Sequence, residues 1–187
     1  TIKGNKANEG GAMHINRTSS GSGDTLKYYP SVVNINDGAL ITANEAPSNC
    51  GGILIANKEV VVTMNGGEIS KNKSKNGAGV MIWADATFVL KGGKITGHKV
   101  TGNGGGIYTR AYSDSAIYGG LISGNQAKLS GGGVYEWKST KCGYDREHVQ
   151  TWIDGEMVQN AVYREGWLAN GVYGMEKVED LPLENAA

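Results

Sequence analysis

An all-β fold, a single-stranded right-handed parallel β-helix of about six coils, is predicted by three features of this 187-residue sequence. An aliphatic residue followed three positions later by asparagine recurs along the chain. Glycine runs follow these asparagines, and the middle copies repeat about every 27 residues. A stack of coils requires such repetition, because each strand pairs in parallel with the equivalent strands of the coils above and below.

The aliphatic–asparagine motif marks one strand and the following turn of each predicted coil. From the asparagine at position 5, the steps to the next copies are 39, 28, 26, 27 and 35 residues. The three middle steps set the period, and the two longer steps indicate coils that carry loop insertions at about 16–30 and 136–150. We therefore predict an interior column, each member contributing roughly 1.5–3 kcal/mol on burial, formed by Ile2, Ile41, Ile69, Ile95, Ile122 and Met157.

Each coil is predicted to contain three short strands separated by glycine or asparagine turns. In the clearest coil these strands are 60–64, 68–70 and 80–83. Helices are disfavoured, because interior glycine costs about 1 kcal/mol and no segment sustains a 3.6-residue apolar period. Parallel crossovers are right-handed by strong preference. Two further core columns are predicted, one through Ile53, Val80, Ile107 and Val134 and one through Met64, Leu90 and Ile117.

The repeated asparagines predict a ladder of side chains at one turn of the solenoid. Asparagine tolerates left-handed backbone angles, and its amide is able to bond the backbone of the next coil. We expect His98 to interrupt this ladder as a tolerated substitution rather than to act as a catalytic group. The predicted rungs are Asn5, Asn44, Asn72, His98, Asn125 and Asn160.

An outward-facing stripe is the candidate ligand-binding surface. Strand residues alternate between faces, so if Ile107 and Val134 point inward, their neighbours point outward and stack at about 4.8 Å per coil. Aromatic faces beside an arginine suit the apolar faces and hydroxyls of sugars, or a protein hot spot. The alternative is cross-strand stacking that only stabilises the sheet. The predicted stripe, expected to be exposed, is Met81, Trp83, Tyr108, Arg110, Tyr135 and Trp137.

Three motifs carry a resemblance to known proteins: Ile-Ser-Gly-Asn at 122–125, Gly-Gly-Gly-Ile-Tyr at 104–108 and Gly-Gly-Gly-Val-Tyr at 131–135. They resemble the repeats of bacterial surface proteins related to the polymorphic outer membrane proteins, and of large β-helical adhesin-like proteins of gut Gram-positive bacteria. The resemblance covers roughly residues 1–175. It implies an extracellular, cell-attached chain whose β-helix projects from the surface or binds a partner.

The sequence contains fragments of catalytic motifs but completes none of them. Thr-Trp-Ile-Asp at 151–154 resembles part of a pectate lyase stretch, yet Gly155 stands where that stretch has histidine. Glycoside hydrolysis needs two carboxylates roughly 5–9.5 Å apart. Asp114, Asp145 and Glu147 would meet only if two loops fold toward each other. The sequence therefore favours a protein that is not an enzyme.

Metal, cofactor and nucleic-acid chemistry are not predicted. His14, His98 and His148 lack the close spacing of a zinc site, and eighteen basic residues cancel eighteen acidic ones, so no global field favours nucleic acid. No apolar run approaches the roughly 20 residues of a membrane helix. Whether Cys50 and Cys142 form a disulfide stays open.

We thus expect residues 1–187 to form one domain of a longer chain, with a possible C-terminal cap at about 174–187. The predicted function is that of a non-enzymatic, surface-displayed module, an adhesin or stalk, whose partner is a host or environmental glycan or a surface protein. The first alternative is a carbohydrate-active enzyme domain, a polysaccharide lyase or glycoside hydrolase. The second is a structural spacer that binds nothing.

Overall fold

The structure, a computed structural model, describes residues 1–110 and 113–137 and the strand backbones at 142–144, 149–153, 156–159, 162–167 and 173–177. Over this part of the chain the fold is an all-β parallel solenoid of about four turns, with coils of about 27 residues. Its helical content is a 3₁₀ turn at Gly23–Thr25. No helix in the described ranges is long and apolar enough to cross a membrane.

The first sheet contains two rows of stacked strands. One row is β1 (Ile2–Lys3), β6 (Leu40–Thr42), β10 (Glu68–Ser70), β14 (Lys94–Thr96) and β18 (Leu121–Ala127), and the other is β7 (Glu45–Asn49), β11 (Lys73–Asn76) and β15 (Lys99–Val100). Strand β18 pairs with both β14 and β15, so it joins the two rows. Beyond β18 lie β21 (Val149–Ile153), parallel to it, and β22 (Glu156–Gln159), antiparallel to β21.

Two further sheets complete each coil. The second is β2 (Met13–Ile15), β8 (Ile53–Ala56), β12 (Val80–Trp83), β16 (Ile107–Thr109), β19 (Val134–Trp137), β23 (Val162–Trp167) and β24 (Tyr173–Lys177). The third is β5 (Ser31–Ile35), β9 (Val60–Met64), β13 (Thr87–Leu90), β17 (Asp114–Ile117) and β20 (Cys142–Tyr144). Except for β24, which is antiparallel to β23, all neighbours in these two sheets are parallel.

The backbone registers confirm the predicted core columns. Ile69 lies opposite Ile41 on one side and Ile95 on the other, and Ile95 lies opposite Ile122. The columns at 53, 80, 107 and 134 and at 64, 90 and 117 are in register in the same way, and their side chains are buried. The prediction succeeded here because parallel stacking places equivalent residues directly above one another.

Two details of the predicted coil are corrected by the structure. The clearest coil has four strands, because 73–76, immediately after the ladder position, forms β11 in addition to the three predicted strands. The insertion near 16–30 forms an antiparallel hairpin of β3 (Thr18–Ser20) and β4 (Lys27–Tyr29). In that hairpin the guanidinium of Arg17 lies 3.6 Å from the ring centroid of Tyr28.

The predicted last coil is also wrong in its register. Val149, not Met157, pairs with Ile122, which is a regular step of 27 residues, whereas Met157 pairs antiparallel with Trp152. The segment 136–150 is therefore not a simple insertion: it continues the coil through the end of β19, β20 and the start of β21. Residues 157–160 carry a copy of the motif, but the hydrogen-bond register places Val149, not Met157, opposite Ile122. Asn160, Asp145, Glu147 and the end of the predicted cap lie outside the described residues.

Candidate functional site

The predicted asparagine ladder forms at Asn5, Asn44, Asn72 and Asn125, and the three buried asparagines bond the coil before them in a similar way. The Oδ1 of Asn72 accepts hydrogen bonds from the backbone N–H of Asn44 at 2.8 Å and from its Nδ2 at 3.0 Å. The Nδ2 of Asn72 donates to the carbonyl oxygen of Ile41 at 3.3 Å. Asn44 accepts from Asn5 in the same manner. Each rung thus satisfies backbone groups of the preceding coil.

His98 continues the ladder instead of interrupting it. Its Nδ1 accepts from the backbone N–H of Asn72 at 3.1 Å, its Nε2 lies 3.1 Å from the carbonyl oxygen of Ile69, and its backbone N–H donates to the Oδ1 of Asn125 at 3.0 Å. Because Nδ1 is the acceptor, Nε2 carries the proton and donates to Ile69. Imidazole and carboxamide each place one acceptor and one donor here, so the expectation of a broken rung was wrong.

The left-handed backbone angles lie one residue earlier than predicted. The residues before the rungs have positive φ, whereas the rungs themselves do not. This position accepts glycine, alanine and lysine alike, because a side chain has room there: a Cβ on Gly97 would meet nothing closer than the Cγ of Lys71, at 3.7 Å. The φ values are 71° at Gly4, 55° at Ala43, 54° at Lys71, 66° at Gly97 and 62° at Gly124.

The buried imidazole of His98 makes stability depend on pH. Burial lowers the pKa of His98 from 6.5 to about 4, so below about pH 6.5 the unfolded chain takes up a proton that the folded chain still excludes. Stability therefore falls as the pH falls through this window. We expect the free energy of unfolding to drop by roughly 2 kcal/mol from this group between about pH 7 and about pH 4.5.

Urea denaturation of His98→Asn and the parent chain at both pH values measures that contribution. The variant keeps the ladder but should lose this part of the pH dependence, while His14→Asn, at an exposed histidine, should keep it. An identical pH dependence in His98→Asn and the parent would contradict the assignment.

The predicted stripe lies on the outer side of the second sheet, but it is only partly exposed. Leu54, Met81, Tyr108 and Tyr135 are successive residues of one column. Cys50, Leu54 and Met81 form a small apolar cluster outside the main core, against which Trp83 and Tyr108 pack. The expectation of exposure is wrong for Met81 and Tyr135, which are 3% and 2% exposed. The stripe forms one wall of a concave surface, the corner, which Asn49 and Asn76 line on the other side.

Cys50 belongs to this wall as a free, buried thiol. Its burial raises the pKa of the thiol, which keeps it protonated, and its Sγ lies 3.9 Å from the carbonyl oxygen of Gly79. Cys50 therefore acts as a small apolar side chain that supports Leu54 and Met81.

Arg110 lies between two tryptophans on the second outward column. Its Cζ is 4.3 Å from the ring centroid of Trp83 and 4.9 Å from that of Trp137. The two indoles come from the coils before and after Arg110, because its backbone N–H bonds the carbonyl of Ile82, the residue before Trp83. Beside this stack, the rings of Tyr108 and Tyr135 are 4.9 Å apart and tilted by 39°. All three stacked side chains are half-buried, which strengthens the cation–π attraction.

A second amide ladder, not predicted from the sequence, forms the opposite wall of the corner. Asn76 lies opposite Asn49 in the parallel pair of β11 and β7. The Nδ2 of Asn49 donates to the Oε1 of Glu9 at 2.9 Å, and the backbone N–H of Asn103 donates to the Oδ1 of Asn76 at 3.0 Å. In the sequence, the asparagines at positions 49, 76 and 103 repeat every 27 residues, and this spacing is the feature that indicates the second ladder.

The two walls border an open cavity of about 310 Å³. It brings together four of the six predicted stripe residues and adds two amides. Trp83 stacks on Arg110 without lining the cavity, and Tyr135 is buried. The lining residues are Asn49, Asn76, Met81, Tyr108, Arg110 and Trp137. Such a site offers flat apolar rings on one side and hydrogen-bonding groups on the other.

Buried polar side chains also occur inside the solenoid near this end of the described chain. Glu136 is fully buried and lies opposite Thr109 in the register, and the Oγ1 of Thr109 donates to the Oγ of Ser115 at 2.8 Å. Glu136 was placed by the sequence in a charged insertion, but it belongs to β19. No group of three histidine, cysteine, aspartate or glutamate side chains within the described ranges is arranged to hold a metal ion.

Comparison with known proteins gives no relative for this chain: no family model, no curated protein and no solved structure matches it. The assignment to the parallel β-solenoids therefore depends on the strand registers and the stacked columns of this chain alone.

Proposed function

We propose that this chain is a non-enzymatic glycan-binding module of an extracellular, cell-attached protein, an adhesin or a stalk that carries a binding face. The observation that carries the proposal is the Trp83–Arg110–Trp137 stack beside Tyr108, opening on the amides of Asn49 and Asn76. The surface location is supported by the resemblance of the glycine–asparagine repeats to those of bacterial surface proteins. A protein partner on a host surface is the other kind of ligand that this face fits.

The chemistry of the corner supports a sugar ligand. Pyranose rings have an apolar face that stacks on aromatic side chains and an edge of hydroxyls that bond amides and guanidinium groups. The cavity of about 310 Å³ lies at the lower end of the range for small-molecule sites, which suits a sugar unit. Strands β12, β16 and β19 of the aromatic wall are paired on both sides, and β11 of the amide wall pairs with β7 and β15. The two walls are therefore held in place before the ligand arrives.

We also propose that the coils wind with a right hand and reach six in number. The support is the strong preference for right-handed parallel crossovers and the continuation of the 27-residue step from Ile122 to Val149. A six-coil stack extends the outer face on which the stripe lies.

Trp137→Ala is expected to weaken glycan binding by up to about tenfold, because it removes one stacking plane worth roughly 0.5–1.5 kcal/mol. Binding to a glycan array, followed by titration calorimetry with the best glycan, measures the effect. Tyr118→Ala is the matched control, since Tyr118 is an aromatic residue 68% exposed in the turn after β17. It should bind as the parent chain does.

The same glycans should release no new reducing ends on incubation with the protein. Release of reducing sugar would favour a carbohydrate-active enzyme. An array without any bound glycan or host protein would favour a spacer, and equal affinity of Trp137→Ala and the parent would contradict this site as the binding surface.

A further inference from the structure

The guanidinium of Arg110 has donors left for a ligand. Its two faces lie against Trp83 and Trp137, and the described residues offer its side chain neither a hydrogen bond nor an ion pair: the ion pair in this part of the chain is Lys6–Glu45, at 3.4 Å. Stacking covers the faces of a guanidinium and leaves its edge, where the N–H groups point. That edge borders the cavity.

A planar edge of paired N–H donors is matched best by a carboxylate, which accepts two parallel hydrogen bonds from one arginine. The indoles restrict the guanidinium, so less side-chain entropy is lost on binding than for a free arginine.

We propose that this corner binds a carboxylated sugar, a uronate-type unit of an acidic polysaccharide, with the carboxylate on the edge of Arg110 and the ring against Tyr108 and Trp137. This inference rests on the glycan-binding function proposed above. The amides of Asn49 and Asn76, on the facing wall, are placed to bond the hydroxyls of the same unit.

An acidic peptide fits the corner less well than a sugar does. Extended peptides bind β proteins by adding a strand to a free sheet edge, but β12, β16 and β19 already have partners on both sides. A peptide carboxylate would engage Arg110 without using the ring faces beside it. The aromatic wall and the amide wall therefore favour a sugar.

The test is titration calorimetry of the folded chain with oligogalacturonate, with its methyl ester and with poly-glutamate. The ester keeps the sugar ring but removes the charge, so we expect it to bind at least about tenfold more weakly than the acid. Arg110→Gln should lower affinity for the acid by a similar factor and leave affinity for the ester unchanged. Arg110→Lys, which keeps the charge but not the planar fork, should fall between them.

Lys91→Gln is the matched charge control, because Lys91 is exposed in the turn between β13 and β14, away from the second sheet. Thermal melts of all variants show whether loss of the stack alters folding. Equal binding of acid and ester, dependent on Trp137 but not on Arg110, would overturn the carboxylate assignment and leave glycan binding intact. Binding of poly-glutamate as tight as that of the acid would overturn the sugar assignment, and absence of binding to any sugar, here and on the array, would sink both proposals.

Discussion

Gly79→Ala is expected to destabilise the solenoid by at least about 3 kcal/mol, the upper end of overpacking costs. A Cβ on Gly79 would overlap the carbonyl oxygen of Gly106 in the next coil and would lie 2.9 Å from the Nε2 of His98. Gly106 is fixed by the hydrogen bond that its carbonyl accepts from Val80 at 2.8 Å. Since both obstacles are held by the coil stack, neither is able to move aside without breaking bonds.

The matched control for this substitution is Gly97→Ala. Gly97 has a φ of 66°, but its added Cβ would meet nothing closer than 3.7 Å. In another coil an alanine, Ala43, already occupies the equivalent position with a φ of 55°. We expect a cost of roughly 1–2 kcal/mol for the left-handed backbone alone. Urea denaturation followed by far-ultraviolet circular dichroism compares the two. Equal denaturation midpoints for Gly79→Ala and the parent would show that close coil contact is not the reason for glycine.

Asn72→Ala is expected to lower the free energy of unfolding by about 4 kcal/mol. The substitution leaves the backbone N–H of Asn44 and the carbonyl of Ile41 without the partners that they have in the ladder. Asn72 is fully buried, so water does not replace them, and each stranded group costs roughly 1–3 kcal/mol. Because coils contact only their neighbours, the loss falls on one coil interface in the middle of the stack.

Two further variants test whether the stability comes from the buried hydrogen bonds and not from asparagine as such. Asn76→Ala removes the same carboxamide from a partly buried position in the second ladder, where water is able to substitute, so its cost should stay below about 1 kcal/mol. Asn72→His should retain most of the stability, because His98 makes the equivalent bonds in the next coil. If Asn72→Ala and Asn76→Ala lower the free energy of unfolding by the same amount, burial of the hydrogen bonds is not the reason why the ladder stabilises the fold.

The core columns were predictable because a parallel stack repeats its environment at every coil. Ile41, Ile69 and Ile95 meet the same kind of neighbours above and below. The same type of side chain is therefore favoured in every coil, and it appears as a repeat along the sequence. The same logic made the asparagine rungs visible. It failed at Met157, where a local copy of the motif belongs to a hairpin strand antiparallel to β21, because a short motif does not reveal which partner its backbone bonds.

The candidate site was predictable only in part, for a related reason. Period-two alternation identified which side chains leave the main core, and Trp83, Arg110 and Trp137 do stack on that face. Alternation does not tell whether another segment covers an outward residue, so the burial of Met81 and Tyr135 was missed. The facing wall was missed as well, because Asn49 and Asn76 were counted with the turns and not with a strand.

The sequence by itself determined the parallel stack, its 27-residue coil and its aliphatic and asparagine columns, since these follow from repetition along one chain. The tertiary structure decided what repetition does not encode. It placed the amide wall against the aromatic wall, gave His98 the bonding role of an asparagine, and set Arg110 between two indoles with its edge toward a cavity. These features depend on how the chain turns between strands, where hydrogen bonds and contacts distant in sequence fix each position.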